Sequence, residues 1–235
     1  MGGGATLKVD TEYPFEDAVR LLVQAPRAVD VDLRIPGWAG AASVSLDGGP
    51  PVAAARGAFH TVRCAPGGCA IVLLLAPAIE VTPGWGTGDG VAVTRGPLLF
   101  ALPLAERWTA LRSYEFQAKD YEVSSNSTWN MALLLRRGGA AGTLQHALEL
   151  RRSGGGGATA TPPPPFASDQ PRVWLEGYAR RCDAWTSPDG GHTADPPPPS
   201  PACGAQDACG PLTPVRLVPF GNTRLRISVM PYTLS

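Results

Sequence analysis

VDVDLRIPGW, residues 29–38, decides the fold. Val29, Val31, Leu33 and Ile35 hold every second position while Asp30, Asp32 and Arg34 hold those between, so a pleated backbone sends the apolar set to one side and the charges to the other. That predicts a half-buried β-strand. Pro36 withdraws a backbone donor and Gly37 permits a turn, so the strand ends there and leaves Trp38 at the rim of the layer into which Ile35 packs.

Outward from this stretch the same grammar recurs about every ten residues, the spacing of a β-sandwich. Residues 18–23 form a short apolar strand after an extended lead-in over 11–15. Residues 43–46 alternate and run into Asp47, Gly48 and Gly49, a turn signal because these residues tolerate positive φ. Residues 59–64 read as another strand. Residues 70–75 are an apolar run short enough to be a strand covered on both faces. Residues 91–93 and 98–102 flank Arg95, Gly96 and Pro97, which suggests a bulge or a step between layers. From 104 to 137 there is neither Gly nor Pro, and the spacing of Leu104, Trp108 and Leu111 predicts a turn or two of helix. Strands follow at 121–123, 129–135 and 173–178, with 144–150 open between strand and helix. Leu225, Ile227 and Val229 alternate with Arg224, Arg226 and Ser228 in a single last strand.

The expected fold is therefore all-β, built as antiparallel β-sandwiches. Its 235 residues suit two small β-domains, 6–106 and 107–235. The second carries low-complexity insertions at 153–170 and 187–214, around Pro162 to Pro165 and Pro196 to Pro199, and both tracts read as exposed.

Twenty basic residues balance twenty acidic ones, which removes the electrostatic reason to expect nucleic acid or an anionic membrane as partner. No apolar run approaches the roughly 18 residues of a membrane span, and the opening MGGGATLKVD lacks the apolar core of a secretory signal. Met1-Gly2 with Thr6 matches an acylation pattern formally, but no polybasic patch reinforces it. Secreted and cytoplasmic locations are both compatible with this. The glycine-rich GWGTGDG, residues 84–90, lacks the Gly-Lys-Ser/Thr ending of a phosphate cradle.

Of the five cysteines, Cys64 with Cys69 and Cys203 with Cys209 can close small loops in an oxidising compartment, and free buried thiols are the equal alternative. None forms a Cys-x-x-Cys pair and no histidine lies at ligand spacing, so no metal site is expected.

Five stretches, TEYPFEDAVRLLV (11–23), LRIPGWA (33–39), GVAVTRGPLLFALPL (90–104), YEVSSNSTWNMAL (121–133) and RLVPFGNTRLRISVMP (216–231), together resemble the carboxy-terminal β-region of glycoside hydrolase family 127, the β-L-arabinofuranosidase-like proteins. The resemblance spans nearly the whole chain apart from the two Pro/Gly tracts. In that family the chemistry belongs to an upstream (α/α)-barrel, with a zinc-held cysteine thiolate as nucleophile and a glutamate as general acid/base. Nothing in this sequence resembles the barrel, so the resemblance implies no catalytic residue and no cofactor in this chain. Zinc is expected only in the missing catalytic domain. It implies a β-region that supports that barrel, its expected partner, with an arabinose-containing glycan as a further one. A free-standing carbohydrate-binding module and an interaction scaffold are the alternatives.

Trp38, Trp85 and Trp129 are candidate contact residues, since an aromatic face can stack on a sugar ring or anchor a neighbouring domain. Asn130, beside Trp129, can orient a hydroxyl or cap a loop. Coplanar, exposed tryptophans would favour sugar binding and buried ones a scaffold. Glu80 and Asp89 flank Trp85 and are the nearest approach to a glycosidase carboxyl pair, but acids at strand ends are ordinarily solvated. His60, His146 and His192 are scattered and read as structural or exposed. Asn126-Ser127-Thr128 is a glycosylation sequon, usable only in the secretory pathway.

Overall fold

The computed structural model describes residues 4–86, 88–138, 143–153, 164–187, 194–204 and 209–235. Among them there is no α-helix, and none long and apolar enough to cross a membrane. The chain is all-β and almost wholly antiparallel, and it divides into two compact units. The first holds the residues up to Ile79 together with Arg95–Pro97. The second holds Glu80–Thr94 and Leu98–Ser235, so residues 80–94 and 98–106 group with the second unit.

In the first unit seven strands make two layers: β1 (Thr6–Thr11), β2 (Ala18–Gln24), β3 (Val29–Arg34), β4 (Ala39–Leu46), β5 (Val52–Ala54), β6 (Phe59–Cys64) and β7 (Cys69–Pro77). Five form a sheet in the order β1-β2-β7-β4-β5, and β3 pairs with β6 in a second. The opening stretch behaves as its pattern requires. Val31 lies opposite Val62, Leu33 and Ile35 are buried, and on the outer face Asp30 meets Arg63 at 3.0 Å while Thr61 donates to Asp32 at 2.6 Å.

Strand β7 corrects the expectation of two covered faces. Cys69, Ile71, Leu73 and Leu75 are buried, whereas Val72 and Leu74 point outward at 38 % and 43 % exposure. This strand is the centre of the five-stranded sheet, and the β3–β6 layer packs on only one side of it. Residues 12–17 likewise form a turn, with the Phe15 amide on the Glu12 carbonyl at 2.9 Å, rather than an extended lead-in. The Asp47–Gly48 turn is as expected, and the Asp47 carboxylate also accepts the Ala70 amide at 2.8 Å. Cys64 and Cys69 are disulfide-bonded across the β6–β7 turn. Gly68 makes that turn possible, since its φ is +112° and a Cβ there would lie 2.0 Å from the Val23 carbonyl oxygen.

Apart from Ile79 and Arg95, which group with the first unit, the second unit contains β8 (Ile79–Trp85), β9 (Gly90–Arg95), β10 (Leu98–Pro103), β11 (Arg107–Ser113), β12 (Lys119–Ser124), β13 (Met131–Gly138), β14 (Thr143–His146), β15 (Glu149–Arg152), β16 (Val173–Cys182), β17 (Cys209–Pro219), β18 (Arg226–Ile227), β19 (Val229–Met230) and β20 (Tyr232–Leu234). Its main sheet runs β14-β13-β16-β17-β10-β9-β19, with β15 on β16, β18 on β10, β8 on β9 and β20 parallel to β13.

Three expectations change here. Instead of a helix, Trp108 and Leu111 lie in the exposed hairpin β11–β12, where Trp108 stands opposite Val123 and edge-on to Tyr121. No apolar layer meets this segment to reward a helical stripe. The last strand is split: Ile227 pairs with Leu102 on β10, and Val229 pairs with Ala92 on β9, so the chain changes partner at Ser228. The tract 187–214 is not wholly an exposed insertion. Ala202 is buried, Gly88 abuts the Pro197 carbonyl so closely that a Cβ would lie 2.1 Å from it, and Cys209 already begins β17. Pro211 and Pro214 are tolerated in that strand because β16 alone pairs with it there. Residues 154–163 and 188–193, including His192, lie outside the described residues.

Candidate functional site

The anticipated contact residues have separate surroundings. Trp38, in the first unit, is half-buried, stacks on Tyr13 at 6.3 Å and lies against Gly96. Burial raises the pKa of the Tyr13 hydroxyl. Trp85, ending β8 in the second unit, is 52 % exposed, and its neighbours Glu80 and Asp89 are exposed too. Trp129 packs edge-on against the buried Trp185 at 5.1 Å. Asn130 gives its side-chain amide to the carbonyls of Cys182 and Trp185, at 2.9 and 3.2 Å, so it ties loops together. Asn126 is exposed. His60 sits in the β3–β6 pair, and His146 accepts the Leu148 amide at 3.2 Å.

A more concentrated group of side chains lies where β15, β16 and β17 run together. Glu149 and Glu176 are cross-strand partners, and Arg151 joins them, with Nη2 on Glu149 at 2.7 Å and Nε on Glu176 at 2.9 Å. The Trp174 indole N–H donates to the other Glu176 oxygen at 2.9 Å, and the Arg216 guanidinium lies 4.2 Å above the Trp174 ring. Tyr178, 51 % exposed, completes the rim of a shallow cavity of about 400 Å³. The Trp174 bond and then the Arg151 bond hold the Glu176 carboxyl below the usual carboxylate range, and Glu176 raises Arg151 in return. Glu176 is therefore a fixed anion suited to orienting a cation or a hydroxyl, and unsuited to donating a proton. In the sequence Trp174 marks only a strand. The signal available was the i, i+2 spacing of Trp174 with Glu176 and of Glu149 with Arg151, which puts each pair on one face.

Next to it a cavity of about 540 Å³ opens where β10 leaves β17 for β18, lined by Leu102, Thr128, Met131, Arg181, Thr213 and Arg216. A third, of about 460 Å³, lies between the β11–β12 hairpin and β18 and includes Trp129. At its edge Glu106 accepts from the Arg224 and Leu225 amides and from the Trp108 indole. Partial burial pushes the Glu106 carboxyl up, but these bonds and the Arg224 charge outweigh it and hold the group below its usual range.

Among the described residues one group has metal-ligating composition: the sulfurs of Cys182, Cys203 and Cys209 lie within 4.8 Å of one another. The absence of Cys-x-x-Cys pairs does not exclude this group, because Cys182 is far from the others along the chain and the β16–β17 pairing brings it alongside.

Comparison with known proteins adds the following. Residues 2–69 match the family model for the middle domain of GH127 β-L-arabinofuranosidases. Among solved structures, a glycoside hydrolase aligns over 97 % of this chain and 32 % of its own, with TM-score 0.58 and 19 % identity. A GH127 β-L-arabinofuranosidase from Geobacillus stearothermophilus T6 aligns over 98 % of this chain and 31 % of its own, with TM-score 0.57 and 19 % identity. A further GH127 β-arabinofuranosidase gives 0.53 and 14 %, covering 96 % of this chain and 31 % of its own. The chain thus spans about a third of these solved chains. No curated protein matches it. The likeness to a non-barrel region of family 127, drawn from the five stretches, is borne out, as is the all-β fold.

Proposed function

We propose that this chain is a non-catalytic β-region of a β-L-arabinofuranosidase-like glycoside hydrolase, which braces and partly shapes a catalytic barrel lying elsewhere in the protein. The observation that carries this reading is the coverage: almost all of the chain aligns with only a third of a glycoside hydrolase. Glycoside hydrolysis needs one carboxyl kept protonated to serve as acid, and neither Glu106 nor Glu176 suits that role, since hydrogen bonds and arginines favour the anion of each. Trp38, with Tyr13 and Gly96 around it, fits an aromatic packed into its own unit better than a sugar platform.

The test is hydrolysis of an aryl β-L-arabinofuranoside by this chain, alone and within the longer polypeptide encoded with it. No turnover by the chain and turnover by the longer protein are expected. Turnover by the chain alone that is lost in Glu176→Gln would overturn the reading. The exposure of Trp85 favours a second one, glycan contact at that ring. A glycan panel of arabinose-containing oligosaccharides, with Trp85→Ala as control, separates the two.

A further inference from the structure

Three cysteines of the second unit converge although Cys182 is distant in sequence from the close pair Cys203 and Cys209. Cys182 ends β16 and Cys209 begins β17, and the two are directly opposed in the ladder beside a register shift at Arg180 and Cys182. Cys203 is bonded to Cys209, with Cα atoms 5.6 Å apart, while Cys182 keeps its thiol. All three sulfurs fall within 4.8 Å of one another. In a tetrahedral zinc–thiolate centre the metal–sulfur distance is about 2.3 Å, which places sulfurs about 3.8 Å apart. Cys182 is thus already within about an ångström of ligand spacing.

The backbone holds this arrangement from several sides. The Cys182 amide donates to the Asn130 carbonyl at 2.7 Å, and its carbonyl accepts from the Asn130 side chain at 2.9 Å and the Trp185 amide at 3.1 Å. Ala202, next to Cys203, donates its amide to Tyr232 at 2.7 Å. Around the sulfurs stand Ala132, Trp185 and Ala202, all buried, with Trp129 and Ile227 behind them. A wall of this kind limits water and strengthens the attraction between thiolate and cation.

We propose that Cys182, Cys203 and Cys209 form a three-thiolate zinc(II) site that is created when the Cys203–Cys209 bridge is reduced. An external dithiol supplies the two electrons: its sulfurs become a disulfide, the Cys203–Cys209 bond breaks and both cysteines take up protons. Zinc(II) then binds three thiolates and releases three protons to the solvent. A water completes the fourth position. Exchange with an external disulfide, which takes the two electrons and leaves as two thiols, re-forms the Cys203–Cys209 bond, removes two ligands and expels the ion. This centre is separate from any zinc of a catalytic barrel, and it stands whether or not the proposed accessory function does.

The experiment uses the whole chain, reduced and anaerobic, titrated with cobalt(II) as a spectroscopic stand-in and then with zinc(II). One equivalent of cobalt with a thiolate-to-cobalt charge-transfer band, displaced by zinc, is expected. The oxidised chain should give no band. Cys182→Ser should lose the band, and a Cys64→Ser/Cys69→Ser double variant should keep it. Since a cysteine variant can fail to fold, alkylation of the reduced wild-type chain provides a second readout: zinc should slow the alkylation of Cys203 and Cys209, the two partly exposed ligands. No uptake by the reduced chain, an unchanged band in Cys182→Ser, or alkylation of Cys203 and Cys209 at the same rate with and without zinc would overturn the proposal.

Discussion

In the first unit Arg95 grips both carboxylate oxygens of Asp17, at 2.7 and 2.8 Å, with its side chain only 6 % exposed; in the second, Arg151 bridges Glu149 and Glu176 with about half of its side chain in water. The bond lengths are nearly the same, yet the energetics are not. A desolvated guanidinium has lost its hydration and depends on its partner, whereas an exposed one exchanges a carboxylate for water at little cost. The two arrangements teach that the first unit is organised by what it buries and the second, around this network, by what it presents to solvent.

The sharpest way to break this contrast is to remove one partner from each. Asp17→Ala should cost about 3 kcal/mol, since it strands the Arg95 charge in a site where Nη1 already has no hydrogen-bond partner among the described residues. The double change Asp17→Ala with Arg95→Met should recover most of that loss. Urea denaturation followed by tryptophan fluorescence reads both. If the single change is as mild as a surface substitution, the buried pair does not organise the unit.

Strand β7 offers the same test without charge. Leu73→Ala removes a buried side chain and should cost about 2–4 kcal/mol, while Leu74→Ala, one residue on and facing outward, should stay within about 0.5 kcal/mol. Equal losses would mean that the outer face is covered in solution.

Much of the first unit was legible because its signals are local. The period of residues 29–35 and the Asp47–Gly48 turn each act within a few residues, and the ladder simply obeys them. What escaped was set by partners distant in sequence. The run 70–75 is apolar throughout, and only the layering decides that one face stays wet. Leu104, Trp108 and Leu111 have helical spacing, but Trp108 found Tyr121 and the Arg224 guanidinium, 5.3 Å from its ring, and no core. Residues 225–229 alternate without a flaw, yet two neighbouring strands share them. The cysteine triad escaped for the same reason, and the Trp174–Glu176–Arg151 network shows in the sequence only as two i, i+2 pairs, whose meeting depends on which strand lies beside β16.

Glu106 provides a smaller test, one of pH. Its folded pKa is lowered, so the stability it contributes is present above the unfolded carboxylate value and is lost as pH falls through the folded one. Glu106→Gln should therefore lower stability by about 1 kcal/mol near neutrality, where two backbone amides lose a charged acceptor, and should flatten the decline on the acid side. Thermal unfolding from neutral pH down through the carboxylate range measures both. A variant that keeps the wild-type acid slope would show that the hydrogen bonds do not favour the charged form.

The smallest expected effect lies at Glu176, and it discriminates most finely between the two kinds of site. Here the sign is the same, with the folded pKa lowered, but nearly half of the side chain is in water, so global stability should hardly register it. The carboxyl itself should respond when observed directly by NMR titration. The Trp174 hydrogen bond is the largest single cause of the lowering, and Arg151 adds both a hydrogen bond and its charge, so Trp174→Phe and Arg151→Met should each move the Glu176 titration upward. If only Arg151→Met moves it, the network is governed by charge rather than by the indole hydrogen bond, and the contrast with Arg95 and Asp17 becomes one of degree. If Trp174→Phe moves it as well, the indole N–H holds Glu176 charged and oriented even when its arginine is engaged by another anion, which a surface ion pair alone cannot do.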